Sequence, residues 1–128
     1  MMIRAGGMPF REKDFQAAGK GESMEMCAAV SAIVEGIRSI ADPEIILMYG
    51  RKRDVSSGQV NDVDLCVVAA TDNKDTLQNQ IYLLIDSDIS FDIIIYTPEE
   101  WDTLSVDTQS FAHRIEEKGI RIYERETR

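Results

Sequence analysis

Histidine is almost missing from this sequence: His113 is the single one among 128 residues. Cysteine is nearly as scarce, with Cys27 and Cys66 alone. A structural zinc site draws several ligands from these two residue types, so a zinc-centred fold is argued against, and both thiols read as reduced side chains among apolar neighbours. No apolar run approaches the roughly 18 residues that a membrane span requires. Met1 to Met8 lacks the apolar segment of a signal peptide, so the chain is expected in the cytoplasm. Cations are also in deficit, since 14 Lys and Arg face 23 Asp and Glu for a net charge of −9. Clustered cations supply most of the affinity for nucleic acid, which argues against a general nucleic-acid binder. The one basic cluster, Arg51-Lys52-Arg53, suits the phosphates of a nucleotide better than a duplex.

An ordinary apolar share of 44% in 128 residues predicts one domain with a single core. Residues 1 to 21 hold Gly6, Gly7, Pro9, Gly19 and Gly21 without periodicity and read as a poorly structured leader, so the domain is expected over 22 to 128. From Ser23, a plausible N-cap, the residues Met26, Val30, Ile33, Val34, Ile37 and Ile40 recur at three and four, which predicts a helix stopped by Asp42 and Pro43. Ile45 to Tyr49 is a continuous apolar run and predicts a strand covered on both faces. Leu77, Ile81, Leu84 and Ile85 mark the inward face of a second helix. Ile89 to Tyr96 predicts a strand, and Thr97-Pro98 reads as an N-cap with proline at the first helical position. Trp101 is expected to pack that short helix on the sheet. A last helix is expected over Thr108 to Lys118 with Phe111, Ala112 and Ile115 inward, capped by Gly119 and followed by a strand from Ile120 to Tyr123. His113 is expected to be solvated. The order helix, strand, strand, helix, strand, helices predicts an α/β domain with a mixed β-sheet flanked by helices.

The stretch from Met48 to Val68 is the informative one. It leaves an apolar run at Gly50, crosses a polar loop, and enters a second apolar run through Asp62 and Asp64. On a strand these two acids point to one face while Val63 and Leu65 point to the other. Adjacent carboxylates repel unless a cation lies between them, and Mg2+ suits them because it takes oxygen ligands and shares them with substrate phosphates. Asp92 supplies a third acid inside another strand-like run.

This pattern resembles the nucleotidyltransferase domain of the DNA polymerase beta superfamily, and within it the minimal nucleotidyltransferases. The family signature is a hydrophobic strand, Gly-Ser, a loop, Asp-x-Asp, and a third Asp on a later strand. Gly50 stands at the glycine, Asp62 and Asp64 at the paired acids, and Asp92 at the third. The resemblance runs from about Glu22 to Glu124 and implies the polymerase beta-like fold. It implies Asp62, Asp64 and Asp92 as catalytic residues and ligands of two Mg2+ ions. It also implies Gly50, Arg51 and Lys52 as residues lining the phosphates. The reaction implied is transfer of a nucleoside monophosphate, AMP from ATP, to an acceptor hydroxyl. Small members of the family pair with helical HEPN-type proteins as antitoxins, so a hydroxyl of such a partner is the first expectation. An aminoglycoside-type small molecule is the second.

The chain departs from the signature at the serine, which is Arg51 here. A guanidinium binds phosphate as a bidentate fork, and it can equally fill the pocket. Two further readings therefore stand beside the enzyme: a nucleotidyltransferase-like module that only binds a partner, and a fold whose acids are hydrated strand ends.

Overall fold

The computed structural model describes residues 27–126, so the leader, Ser23 and Met26 lie outside the described residues. The chain forms helix α1 (Ala28–Ala41), strands β1 (Ile45–Arg53) and β2 (Val60–Val68), helix α2 (Lys74–Leu84), strand β3 (Ser90–Tyr96), helices α3 (Pro98–Leu104) and α4 (Phe111–Lys118), and strand β4 (Ile120–Glu124). The four strands form one mixed sheet in the order β3-β2-β1-β4. β1 runs antiparallel to both β2 and β4, while β2 and β3 are parallel, joined by the crossover through α2. The architecture is α/β, with helices on both faces of the sheet.

Strand alternation divides the core into two layers. Ile46, Met48, Val63, Leu65, Val67, Ile93 and Ile95 face Val30, Ile33, Val34 and Ile37 of α1 and Leu77 and Ile81 of α2. Leu47, Tyr49, Cys66, Val68, Ile94 and Tyr96 face Trp101 of α3 and Ala112 and Ile115 of α4. This double cover explains why β2 and β3 read as unbroken apolar runs once past their acids.

Local chemistry sets the boundaries. Asp42 takes a left-handed conformation, φ 50°, at the end of α1, and the following Pro43 cannot continue the helix. Thr97 caps α3: its side chain accepts from the Glu100 amide, and Glu100 returns the bond to the Thr97 amide. The Glu100 carboxylate also accepts from Lys74 Nζ at 2.9 Å, which ties the start of α2 to α3. The Thr97 amide first, and Lys74 next, hold the Glu100 carboxyl below its usual range.

Four expectations need correction. Leu84 is 67% exposed rather than inward, because α2 turns its Leu77 and Ile81 stripe to the sheet and ends beside Leu84. Cys27 is exposed at the N-cap of α1, not a core thiol, whereas Cys66 is fully buried. The last helix begins at Phe111, because Ser110 caps it by accepting from the His113 amide, leaving Thr108 and Gln109 in the preceding turn. His113 is half-buried, and its Nδ1 lies 2.9 Å from the Ser105 carbonyl, so it fastens α4 to the turn after α3.

Candidate active site

The registers of β1, β2 and β3 lay out one face of the sheet in rows. Ile45, Val68 and Tyr96 form the first row, and Leu47, Cys66 and Ile94 the second. Both belong to the apolar layer under α3 and α4. The next row is Gly50, Asp64 and Asp92, and the one beyond it is Lys52, Asp62 and Ser90. The face thus changes from fully apolar to acidic within one step along the strands. The three acids named from the sequence share that face, with Asp64 and Asp92 directly abreast on parallel strands. Tyr49, whose ring meets Phe111 edge-on at 5.5 Å, closes the apolar side of the boundary.

β1 is irregular where this row begins. A register shift between Met48 and Gly50 inserts Tyr49 as an extra residue, and such bulges redirect side chains beside functional sites. It brings Gly50 onto the face of Asp64. A β-carbon on Gly50 would stand 2.6 Å from Asp64 Oδ2, so the carboxylate occupies the space that only glycine leaves open.

The same register separates the three phosphate-contact candidates. Lys52 lies opposite Asp62 on the acid face and is exposed. Arg51 lies opposite Val63, and therefore on the other face, where it lines a cavity with Met48 and Val30. Gly50 and Lys52 are together with the acids, and Arg51 is not. The position that carries serine in the signature thus has its side chain directed away from Asp64.

β1 and β2 continue as a paired ribbon beyond the acids, to the Arg53–Val60 pair. Asp54 organises the tip. Its Oδ1 accepts from the Ser56 amide and hydroxyl, each at 2.8 Å, and from the Ser57 amide at 3.1 Å. The Ser56 hydroxyl first, then the two amides, keep the Asp54 carboxyl below its usual range. Gly58 adopts φ 76°, a conformation glycine takes without strain, and lets the turn close. The Ser56 hydroxyl thus serves the turn.

Two residues without any signal in the apolar pattern brace the third acid. Tyr82 Oη accepts from the Ile93 amide at 2.9 Å, and Gln78 Nε2 donates to the Ile93 carbonyl at 3.2 Å. They stand one helical turn apart on α2 and hold the outer edge of β3 next to Asp92. Burial pushes the Tyr82 hydroxyl up, and the charges of Asp92 and Asp64 add to this, while the bond to Ile93 opposes it. Only the i, i+4 spacing of two polar side chains beside Leu77 and Ile81 could have pointed to them.

The donors on the acid face are carboxylate oxygens, the type a hard divalent ion takes, and Gly50 leaves the room that the Asp64 carboxylate fills. Among the described residues, no group of three or more His, Cys, Asp and Glu side chains is drawn together closely enough to hold a metal ion as it stands. No helix of the described residues is long and apolar enough to cross a membrane. The chain matches no protein-family model and no curated protein. Fold and site together define an α/β domain that carries a carboxylate row at the mouths of two parallel strands.

Proposed function

We propose that the chain is a Mg2+-dependent nucleotidyltransferase of the polymerase beta-like type, moving AMP from ATP to an acceptor hydroxyl. The observation that carries this reading is the row Gly50, Asp64, Asp92 with Asp62 one step further on the same face. Asp62, Asp64 and Asp92 would hold Mg2+, two ions in the full assembly, which would offset triphosphate charge and polarise the α-phosphate. Gly50 would let the phosphates approach the backbone, and the ammonium of Lys52 would meet them from the strand alongside. The acceptor oxygen would form a bond to the α-phosphorus while the bond to the α–β bridging oxygen breaks. Pyrophosphate would leave with that electron pair, and Asp92 would take the hydroxyl proton.

The proposed acceptor is a hydroxyl on a protein, of the HEPN-type helical class, with an antitoxin role. The net charge of −9 favours docking of a more basic partner. An aminoglycoside-type acceptor is the small-molecule alternative.

One observation favours a second reading. Arg51 stands where the signature has serine, and its side chain faces the other side of the sheet, so no hydroxyl meets the phosphates at the turn. A domain that keeps the fold and only covers a partner would look the same. Calorimetric titration with Mg2+ and ATP decides between them. The enzyme reading expects metal-dependent binding by the wild type that Asp62→Asn/Asp64→Asn abolishes. Binding by Arg51→Ser alone would mean a disabled turn and transfer the conclusion to the binding module.

A further inference from the structure

The face of the sheet opposite the acids carries a cavity of about 740 Å3, bounded by the start of α1, the β1–β2 ribbon and β4. Its floor is apolar: Val30 and Met48 are buried, while Val60, Ile89, Ile120 and Ile122 pack on the core and stay half-buried at the cavity wall. A single half-exposed aliphatic side chain is ordinary, but a contiguous set of them calls for a cover. The cavity lies behind the bulge that brings Gly50 to the acids, because Met48 and Arg51, which flank Tyr49 and Gly50, both line it.

Cys27, Ala28 and Ala29 belong to the same wall, and the described chain begins at Cys27. Residues 1–26 therefore join the domain at the rim of the cavity. The stretch from Phe15 to Cys27 can span up to about 40 Å when extended, and Gly19 and Gly21 within it suit a reversal of direction. Residues 10–18 carry two large apolar side chains, Phe10 and Phe15, with Arg11, Glu12, Lys13 and Asp14 between them. The cavity matches that pattern: an aliphatic floor with charges of both signs around it, Arg51 and Arg53 on the ribbon and Asp54 and Asp88 beside them. A segment tethered at the rim acts at an effective concentration on the order of millimolar, which a free ligand of similar chemistry must exceed to displace it.

We infer that residues 10–18 of this chain cover the cavity, with Phe10 and Phe15 set against Met48, Ile120 and Ile122, and so brace the bulge of β1 from the face opposite the acids. The inference does not rest on the nucleotidyltransferase reading.

The test uses the full chain with the photoreactive p-benzoylphenylalanine in place of Phe15, irradiated and mapped by mass spectrometry. Cross-links within one chain to Met48, Ile120 or Ile122 are expected, with a yield that does not change on dilution. A second measurement leaves the backbone chemistry natural: Phe10→Ser/Phe15→Ser should keep the circular dichroism of the wild type and bind the fluorescent probe anilinonaphthalene sulfonate about tenfold more tightly, because the apolar floor is then uncovered. Cross-links between chains that rise with concentration would give the cavity to a second copy and overturn the inference. Cross-links confined to residues outside the cavity, no cross-link at all, or equal probe binding by wild type and the double variant would overturn it as well.

Discussion

The carboxylate of Asp64 lies over the α-carbon of Gly50, so that a β-carbon there would come within 2.6 Å of Oδ2. The residues are cross-strand partners at a bulge, one on β1 and one on β2. Glycine at this position answers a need for space, because its backbone is not in the left-handed region. The obstructing atom is the far end of a side chain rather than backbone, so it can yield to a β-carbon.

Gly50→Ala should therefore separate stability from binding. The urea midpoint should move by less than the equivalent of about 1 kcal/mol, since alanine suits a strand at least as well as glycine. Mg2+-dependent ATP binding should fall about tenfold or more as the Asp64 carboxylate is displaced. Calorimetry that finds the variant binding like wild type would sink the role given to this pair.

Much of this was legible in the sequence, and the reasons differ by element. The sheet strands, α1 and α3 followed from apolar periodicity and from Asp42, Pro43, Thr97 and Pro98, which act locally. The common face of Asp62 and Asp64 followed from strand alternation. The pairing of Asp64 with Asp92 needed the resemblance, since parallel register is set by the crossover and by packing rather than by neighbours in sequence. The facing of Arg51 was out of reach, because the bulge at Tyr49 shifts the register by one residue and a bulge carries no local signal here. Leu84 misled for a simpler reason: in α2 it is an apolar residue at helical spacing that finds no partner.

The two thiols should differ sharply in reactivity. Cys27 is exposed and Cys66 is buried. Burial first, and the Glu116 charge next, push the Cys66 thiol up, so no thiolate forms near neutral pH. Titration with a chromogenic disulfide should find one reactive thiol in the native protein and two in denaturant. Rapid native reaction of both would show that the layer under α3 and α4 opens readily.

Removing the brace on β3 should show in stability and in its pH dependence. Tyr82→Phe deletes the acceptor of the Ile93 amide and should cost about 1–3 kcal/mol, as a partly buried donor loses its partner. The folded-state pKa of Tyr82 is raised, so its contribution is fully present below the unfolded value near 10.0 and is lost as pH rises above it. Urea midpoints across alkaline pH should fall in the wild type and fall less in Tyr82→Phe. A parallel decline in both proteins would assign the alkaline loss to other groups.

Asp64→Asn asks whether the acid row serves the fold or a ligand. Asp64 and Asp92 stand abreast on neighbouring strands, and like charges in that relation destabilise a sheet by roughly 0.2–1 kcal/mol. Without metal, Asp64→Asn should therefore unfold at the same or a slightly higher urea concentration than wild type. With Mg2+ present the order should reverse, because an ion that binds the folded state alone stabilises it by mass action, by about 2.7 kcal/mol at a hundredfold excess over Kd. Only the wild type keeps the full set of carboxylates to gain from it. A variant that is several kcal/mol less stable than wild type in metal-free buffer, with no response of either protein to Mg2+, would make Asp64 a structural residue and remove the support for metal-dependent chemistry on this face.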